Sequence, residues 1–237
     1  MPSKSSASPV ALATFLAFAL LVAWDAGGAD LRLAQLVGTP MGFPLRHDAL
    51  LTTVFHSDGK TLAWLLAAGL LLAVKWPVGP WRRLRMAERW QLPLSMLAAV
   101  GAVTLIKRYS LTSCPWDLQA FGGVAAQVSH WRLGVADGGP GHCFPAGHAS
   151  AAFGFVGGWF VWRRHVPRLA AAWLAAALAG GLVFGLAQQL RGAHFLSHTL
   201  WSAWVCWSTG WAVDALMHRT RRQPAPVVAA HAVQRPT

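Results

Sequence analysis

The chain has 237 residues, of which 55% are hydrophobic and only 12% are charged, and it contains 14 tryptophans. Soluble domains carry about 25% charged residues, so this composition argues against a soluble protein and favours one embedded in a membrane. The formal net charge of +12 would by itself also suit a nucleic-acid-binding protein. The distribution of the basic residues along the chain decides between these two classes.

Six apolar runs alternate with polar segments, and we interpret them as the spans of one polytopic helical bundle. They cover residues 10–26, 61–76, 92–106, 149–162, 169–187 and 199–217. The first, fifth and sixth approach the roughly 20 residues of a full span, whereas the other three are shorter and would individually also suit buried core helices. Tryptophans near many of the ends resemble the aromatic belts of membrane proteins. The expected fold is all-α, an integral membrane bundle of six transmembrane helices.

The basic residues are distributed unevenly between the connecting segments. If the N-terminus is inside and six spans alternate, the inside segments hold thirteen Lys and Arg residues and the outside segments seven, together with six Asp. This bias is the positive-inside rule, which sets orientation, so nucleic acid is not an expected partner. Both termini are expected in the cytoplasm. A cleaved signal peptide is the alternative for the first run, but no clear cleavage site precedes Trp24, which favours a retained span.

Composition divides the chain into three expected regions. Residues 1–91 form an N-terminal unit of two transmembrane helices with a periplasmic loop and a basic cytoplasmic turn. Residues 92–218 form a helical core that carries all the polar motifs. Residues 219–237 are rich in Pro and Ala and are expected to be a disordered cytoplasmic tail.

Three polar stretches, residues 107–117, 141–150 and 188–198, lie at what the topology makes a single membrane face. Their candidate functional residues are Lys107, Arg108, Gly147, His148, Arg191, His194 and His198. Ionisable residues at membrane depth are costly and are therefore functional candidates. Gly147 permits close backbone approach, and the amides of the helix start that follows favour an anion. Cations and histidines without a carboxylate cluster suit an anionic substrate such as phosphate.

The order of these residues resembles the type-2 phosphatidic acid phosphatase family, membrane relatives of the vanadium haloperoxidases and bacterial acid phosphatases. That family has the motifs K-x6-R-P, P-S-G-H and S-R-x5-H-x3-D. Lys107 matches the first lysine, residues 145–148 match the second motif, and the third aligns on His194. Four motif positions differ from the family, namely Cys114, Ala146, Gln188 and His198. The resemblance covers about residues 92–216.

The resemblance implies a role for each matched residue. His194 resembles the nucleophile that becomes phosphorylated, and His148 resembles the acid that protonates the leaving oxygen. Lys107 resembles a clamp for the phosphate, although a lone lysine at this depth would also suit snorkelling to the interface. The family reaction needs no metal or other cofactor, and none is expected here.

Two arginines are expected to replace those missing from the motifs. Arg191 lies three residues after Gln188, on the same helical face, so its guanidinium is expected at the same phosphate; capping of the helix end is the alternative role. Arg108 is expected to serve for the arginine that Cys114 replaces.

The family aspartate that orients the nucleophile is replaced by His198. A neutral His198 would accept a hydrogen bond from His194 four residues earlier and orient its ring. Asp117 is a second candidate for the orienting group. A zinc site formed by His194 and His198 is a further alternative, but no glutamate accompanies the pair.

The cysteines add one structural expectation. Cys114 and Cys143 both lie in outside loops beside the first and second motifs, and an oxidising periplasm would allow a disulfide between them. Cys206 lies inside the sixth apolar run and is expected to be a packed thiol.

Together these features predict a phosphatase of the bacterial inner membrane that acts on a lipid-linked phosphate at the periplasmic face. The sequence shows no motif that would select one lipid headgroup. A lipid phosphotransferase is one alternative, since a phosphohistidine can pass its group to an acceptor other than water. A catalytically impaired homologue that binds or transports lipid is the other, suggested by the four substituted motif positions.

Overall fold

The computed structural model describes residues 8–53 and 58–222, and within these ranges the chain is helical and forms no β-strand. The α-helices of the described part are α1 (Pro9–Ala26), α2 (Ala29–Ala34), α3 (Ala49–Thr52), α4 (Gly59–Lys75), α5 (Met86–Tyr109), α6 (Gly147–Phe153), α7 (Gly157–Trp162), α8 (Pro167–Leu190) and α9 (Leu196–Arg222). Each apolar run of the sequence becomes one of these helices, except that a 3₁₀ turn at Gly154–Val156 divides the fourth run into α6 and α7.

Three helices of the described part, α1, α5 and α8, are long and apolar enough to cross a membrane. The apolar part of α4, Thr61–Lys75, is shorter, and α6 and α7 have only 7 and 6 residues. Helix α9 has 27 residues, but its tryptophan and polar residues lower its hydropathy. The all-helical, membrane-compatible fold is therefore as predicted, whereas the count of six spans is not confirmed.

Local sequence signals fix the starts of the long helices. The hydroxyl of Ser8 accepts from the amide of Ala11 at the start of α1, and proline occupies the first position of both α1 and α8. Proline suits this position because its fixed φ matches the helix and its missing N–H would have no intrahelical partner there. Helix α9 continues to Arg222, beyond the predicted core boundary at residue 218. The predicted disordered tail lies, from residue 223 onward, outside the described residues.

The bundle is centred on α5 and α9, with α6, α7 and α8 packed around them and α1 packed against α9. Small residues permit this close packing: the ring of Phe153 occupies the space that a side chain at Gly181 would need. The indoles of Trp204 and Trp207 donate to the carbonyl and hydroxyl oxygens of Thr14, at 3.0 and 2.8 Å. These hydrogen bonds attach α1 to α9, and a further one from Trp201 to Asp25 places the end of α1 beside the start of α9.

Candidate active site

Backbone hydrogen bonds bring the three polar stretches together at one end of the bundle. The amide of Trp116 donates to the carbonyl of Gly192 at 2.9 Å, joining the first stretch to the third. The amide of Ala146 donates to the carbonyl of His198 at 3.0 Å, joining the second to the third. The shared face expected from the topology is therefore a contact in the structure.

A disulfide joins Cys114 to Cys143, the pair singled out by the sequence, and links the first stretch to the second. Cys143 Sγ also lies 3.4 Å from Nδ1 of His194. The bridge thus holds both loops against the candidate nucleophile. Cys206 is a buried free thiol, as expected.

His194 is buried, with only 2% of its surface exposed. Burial is the main cause that holds its pKa well below 6.5, and positive charge from His198, Lys107 and His148 lowers it further. A hydrogen bond to the backbone of Cys143 acts in the opposite direction. The imidazole is therefore neutral at neutral pH, and a nucleophile needs that state because only the neutral ring has a lone pair to offer.

Lys107 and His148 lie beside His194. The ring centroids of His148 and His194 are 5.8 Å apart, and the Lys107 ammonium is close enough to lower the pKa of His194. Lys107, Gly147 and His148 line a cavity of about 350 Å³, whereas the buried His194 is not among its lining residues. A side chain at position 147 would lie 3.5 Å from the Lys107 methylenes. Glycine there keeps the approach to the lysine open.

The two arginines expected to replace the missing motif arginines differ in their placement. Arg191 Nη1 donates to Oε1 of Gln188 at 3.1 Å, so its side chain does reach the family arginine position. Its Nε donates to the carbonyl of Arg46 at 3.1 Å. Arg108, by contrast, is exposed, and neither arginine lines the cavity of Lys107. Of the two, Arg191 therefore contacts a motif position, and the structure gives the predicted role of Arg108 no support.

In the sequence, Gln188 stood out only as a position where the family's arginine is missing. Its side chain is 1% exposed, and its Nε2 has no partner among the described residues. The amide of Ala193 donates to the carbonyl of Gln188 at 2.8 Å, so Gln188 lies beside the loop that carries His194. A buried amide donor thus occupies the position of the family's charged donor.

The structure does not pair His194 with His198. Their rings meet edge to face with centroids 5.8 Å apart, and Nδ1 of His198 has no partner in the described chain. The physical reason is that α9 begins only at Leu196, so the four-residue spacing of a helix does not apply to His194. Cys143, rather than His198, lies at Nδ1 of His194.

Asp117 does not lie at His194 either. Its carboxylate interacts with the side chain of Trp116, the charge of Arg46 and the backbone of Cys114. Burial is the main cause that raises its pKa above the ordinary value. The structure thus offers no support for Asp117 as the orienting group.

Within the described ranges, the one set of side chains with metal-binding proximity is Cys114, Cys143 and His194, whose ligand atoms lie within 4.8 Å of one another. The two cysteines are bonded to each other and so are not thiolate ligands. His198 does not belong to this set, and the geometry therefore does not favour a zinc site formed by the two histidines.

Sequence reasoning missed a second polar group around Asp25 at the end of α1. The indoles of Trp131 and Trp201 donate to Asp25 Oδ2 at 3.0 and 2.9 Å, and His130 Nε2 lies 3.2 Å from the same oxygen. Nearby, Asp30 accepts from the amide and the hydroxyl of Ser197. The signal in the sequence that could have indicated this group is the presence of acidic residues at the end of an apolar run. Their partners Trp131, Trp201, His130 and Ser197 are more than 100 residues distant along the chain, and no spacing rule connects them.

The model of the PAP2 superfamily matches residues 88–222, which is more than half of the chain. The chain belongs to the PAP2 superfamily. Membership of this superfamily indicates phosphatase-type activity and supports a phosphoric ester hydrolase in general. Searches against curated proteins and against solved structures found no match. The matched residues contain all three polar stretches, whereas α1 and its acidic residues precede the match.

Proposed function

We propose that this PAP2 protein hydrolyses the phosphate ester or pyrophosphate of a membrane lipid through a phosphohistidine on His194. The observation that carries the proposal is the cavity of about 350 Å³ with Lys107 and His148 in its wall. Its remaining walls are mostly apolar and come from α4, α5, α6 and α8. Such a cavity suits a molecule with a charged phosphate and a hydrocarbon tail.

The chemistry assigned to each residue follows from its environment. The neutral His194 ring attacks phosphorus through Nε2, since Nδ1 faces Cys143 Sγ at 3.4 Å. As the phosphorus–nitrogen bond forms, the bond to the lipid oxygen breaks, and His148 gives its proton to that oxygen. Water then attacks phosphorus, the phosphorus–nitrogen bond breaks, and His148 accepts the proton of the water. Lys107 stabilises the negative charge of the transferring group in both steps.

Gln188 and Arg191 supply further donors in this proposal. The unpartnered Gln188 Nε2 donates to a phosphate oxygen in place of the family arginine. Arg191 holds Oε1 of the same amide at 3.1 Å, which directs the amide nitrogen away from itself and fixes its orientation. A neutral amide makes a weaker hydrogen bond to phosphate than a guanidinium does. The proposed enzyme is therefore slower than a relative with the full motif.

A lipid substrate is supported by a second apolar cavity of about 430 Å³. It shares Gly59, Ala63, Ala151 and Phe184 with the cavity of Lys107 and His148. The two cavities form a continuous apolar surface from the phosphate-binding end toward the middle of the bundle. A water-soluble phosphate ester would have no use for this surface.

The positive-inside bias supports a periplasmic site in the bacterial inner membrane, with both termini in the cytoplasm. The Cys114–Cys143 disulfide supports the same placement, because disulfides persist in oxidising compartments. Reporter fusions at Gly134 and Arg222 should report opposite compartments. The same compartment for both would contradict the orientation.

The experiment that tests the function compares two phosphomonoesters, one with acyl chains and one without, using purified protein in detergent. We expect a higher kcat/KM for the lipid. The His148→Ala variant should lose activity on the lipid but keep it on a nitrophenyl phosphate, because nitrophenolate leaves without a proton. Equal loss on both substrates would contradict the role of His148.

Transfer of phosphate to a lipid acceptor without release of free phosphate would identify a phosphotransferase instead.

A further inference from the structure

A separate cavity of about 260 Å³ lies between the end of α1, residues 127–130 and the start of α9. Its polar lining includes Asp25, Asp30, Gln127, Ser129, His130 and His198. The lining that the structure describes contains two carboxylates and no lysine or arginine. It therefore has the opposite charge character to the cavity that holds Lys107.

Asp25 presents one unused oxygen atom to this cavity. Its side chain is only 6% exposed. Oδ2 accepts from the indoles of Trp131 and Trp201 and lies 3.2 Å from Nε2 of His130. Oδ1 is buried and has no hydrogen-bond partner within the described residues. One oxygen of this cavity-lining carboxylate is thus engaged by three side chains, whereas the other makes no hydrogen bond within the described residues.

His198 presents a second unused atom. The residue is 1% exposed, and Nδ1 has no partner in the described chain. His198 lines this cavity. In the neutral tautomer that carries its proton on Nε2, Nδ1 keeps a lone pair and can accept a hydrogen bond. Two buried acceptors therefore line one cavity, and buried acceptors are rarely left without a donor.

We propose that this cavity binds a primary ammonium group, with Asp25 Oδ1 and His198 Nδ1 as its acceptors. An ammonium supplies several N–H donors and a positive charge, which is what two acceptors and two carboxylates require. An aromatic ring also favours a cation here, since Phe195 lines the cavity.

A small metal ion fits this cavity less well. A metal site needs several ligand atoms close together, and in the described part of the chain the cavity side chains do not form a group of three whose ligand atoms lie within 4.8 Å of one another. An ammonium needs only the two acceptors, Asp25 Oδ1 and His198 Nδ1. The amine could come from a soluble molecule or from a lipid headgroup, and the recognition chemistry is the same for both.

The cavity adjoins the proposed phosphate site, because His198 lines it and lies 5.8 Å from His194 between ring centroids. A positive site and a negative site would then lie side by side. Binding of the amine requires no turnover. Its test is consequently independent of whether His194 carries a phosphoryl group.

The test uses the full-length protein purified in detergent, with ethanolamine as the soluble probe and ethylene glycol as its neutral counterpart at matched ionic strength. Thermal unfolding reports stabilisation by each probe.

Native mass spectrometry then compares retention of phosphatidylethanolamine and phosphatidylglycerol with identical acyl chains. We expect stabilisation by ethanolamine but not by the glycol, or preferential retention of phosphatidylethanolamine. An effect of ethanolamine indicates that a soluble amine suffices, whereas a preference confined to the lipid identifies the headgroup as the source.

Two variants make the test specific. Asp25→Asn should weaken amine binding by about tenfold or more, as expected for loss of a charged hydrogen bond, whereas Asp48→Asn, which lies outside the cavity lining, should not. Because Asp25 is buried, Gln127→Lys provides a second variant: it adds positive charge at an exposed lining residue without altering the buried contacts. Gln35→Lys, also exposed but outside the lining, is its control.

Three results would overturn the proposal. The first is a wild-type protein that shows neither stabilisation by ethanolamine nor a preference for phosphatidylethanolamine. The second is an amine effect that persists in both Asp25→Asn and Gln127→Lys. The third is stabilisation by zinc or calcium that these two variants abolish, since the cavity would then be a metal site.

Discussion

Replacing both Cys114 and Cys143 with serine should reduce stability and turnover together. The bridge closes a loop with a sequence separation of 29 residues, for which the chain-entropy relation gives about 4 kcal/mol of stabilisation. The loss of turnover has a separate cause. Cys143 Sγ lies 3.4 Å from Nδ1 of His194, so an unbridged loop no longer holds the nucleophilic ring in one orientation.

The assay measures thermal unfolding and kcat for the double-serine variant and for wild-type protein with and without reductant. We expect a clearly lower unfolding temperature in the variant, and a fall in kcat already at temperatures where the variant is still folded. Cys206→Ala is the control. Because Cys206 is buried and unbridged, this variant should respond to reductant as the wild type does. A double-serine variant with wild-type stability and wild-type kcat would refute the reasoning.

Three further predictions concern the phosphate clamp, the nucleophile and the packing. Lys107→Met should lower kcat by about 100- to 1000-fold, as expected for loss of one electrostatic contact to the transition state. Arg108→Met should leave kcat nearly unchanged. Equal effects of the two substitutions on kcat would contradict the placement of the two residues. Since the pKa of His194 lies well below 6.5, its neutral form persists as the pH falls through 6.5, and rapid-quench measurement of phosphoenzyme formation should show a decline only at lower pH. Gly181→Ala places a methyl group against the buried ring of Phe153 and should lower the free energy of unfolding by about 1–3 kcal/mol. Gly69→Ala adds its methyl group in open space, so it should leave the thermal unfolding temperature unchanged or raise it.

The sequence predicted the parts of the site that depend on short spacings and on helix ends. Hydrophobic runs and charge bias placed Lys107, His148 and His194 at one face, and the structure brings these three residues together. The pairing of Cys114 with Cys143 also followed from the position of each cysteine beside a motif. These predictions depend only on where each motif lies along the chain, since each motif lies at the end of an apolar run.

The sequence could not predict interactions that depend on backbone path or on distant segments. The expected hydrogen bond from His194 to His198 assumed helical spacing, but α9 begins only at Leu196. The Asp25 group could not be anticipated because its contacts with Trp131 and Trp201 depend on how α1 packs against α9. Likewise, the exposed position of Arg108 depends on how α5 is rotated about its own axis in the bundle. The position of Arg108 in the sequence does not determine that rotation.

The most direct test of the account is identification of the phosphorylated residue during turnover. Wild-type protein would be mixed with a lipid phosphate, quenched in alkali to preserve phosphohistidine, digested, and analysed by mass spectrometry. The account predicts a phosphoryl group on His194 and none in the His194→Ala variant, which should also be inactive. Turnover that continues in His194→Ala, or a phosphoryl group found on a different residue, would contradict it.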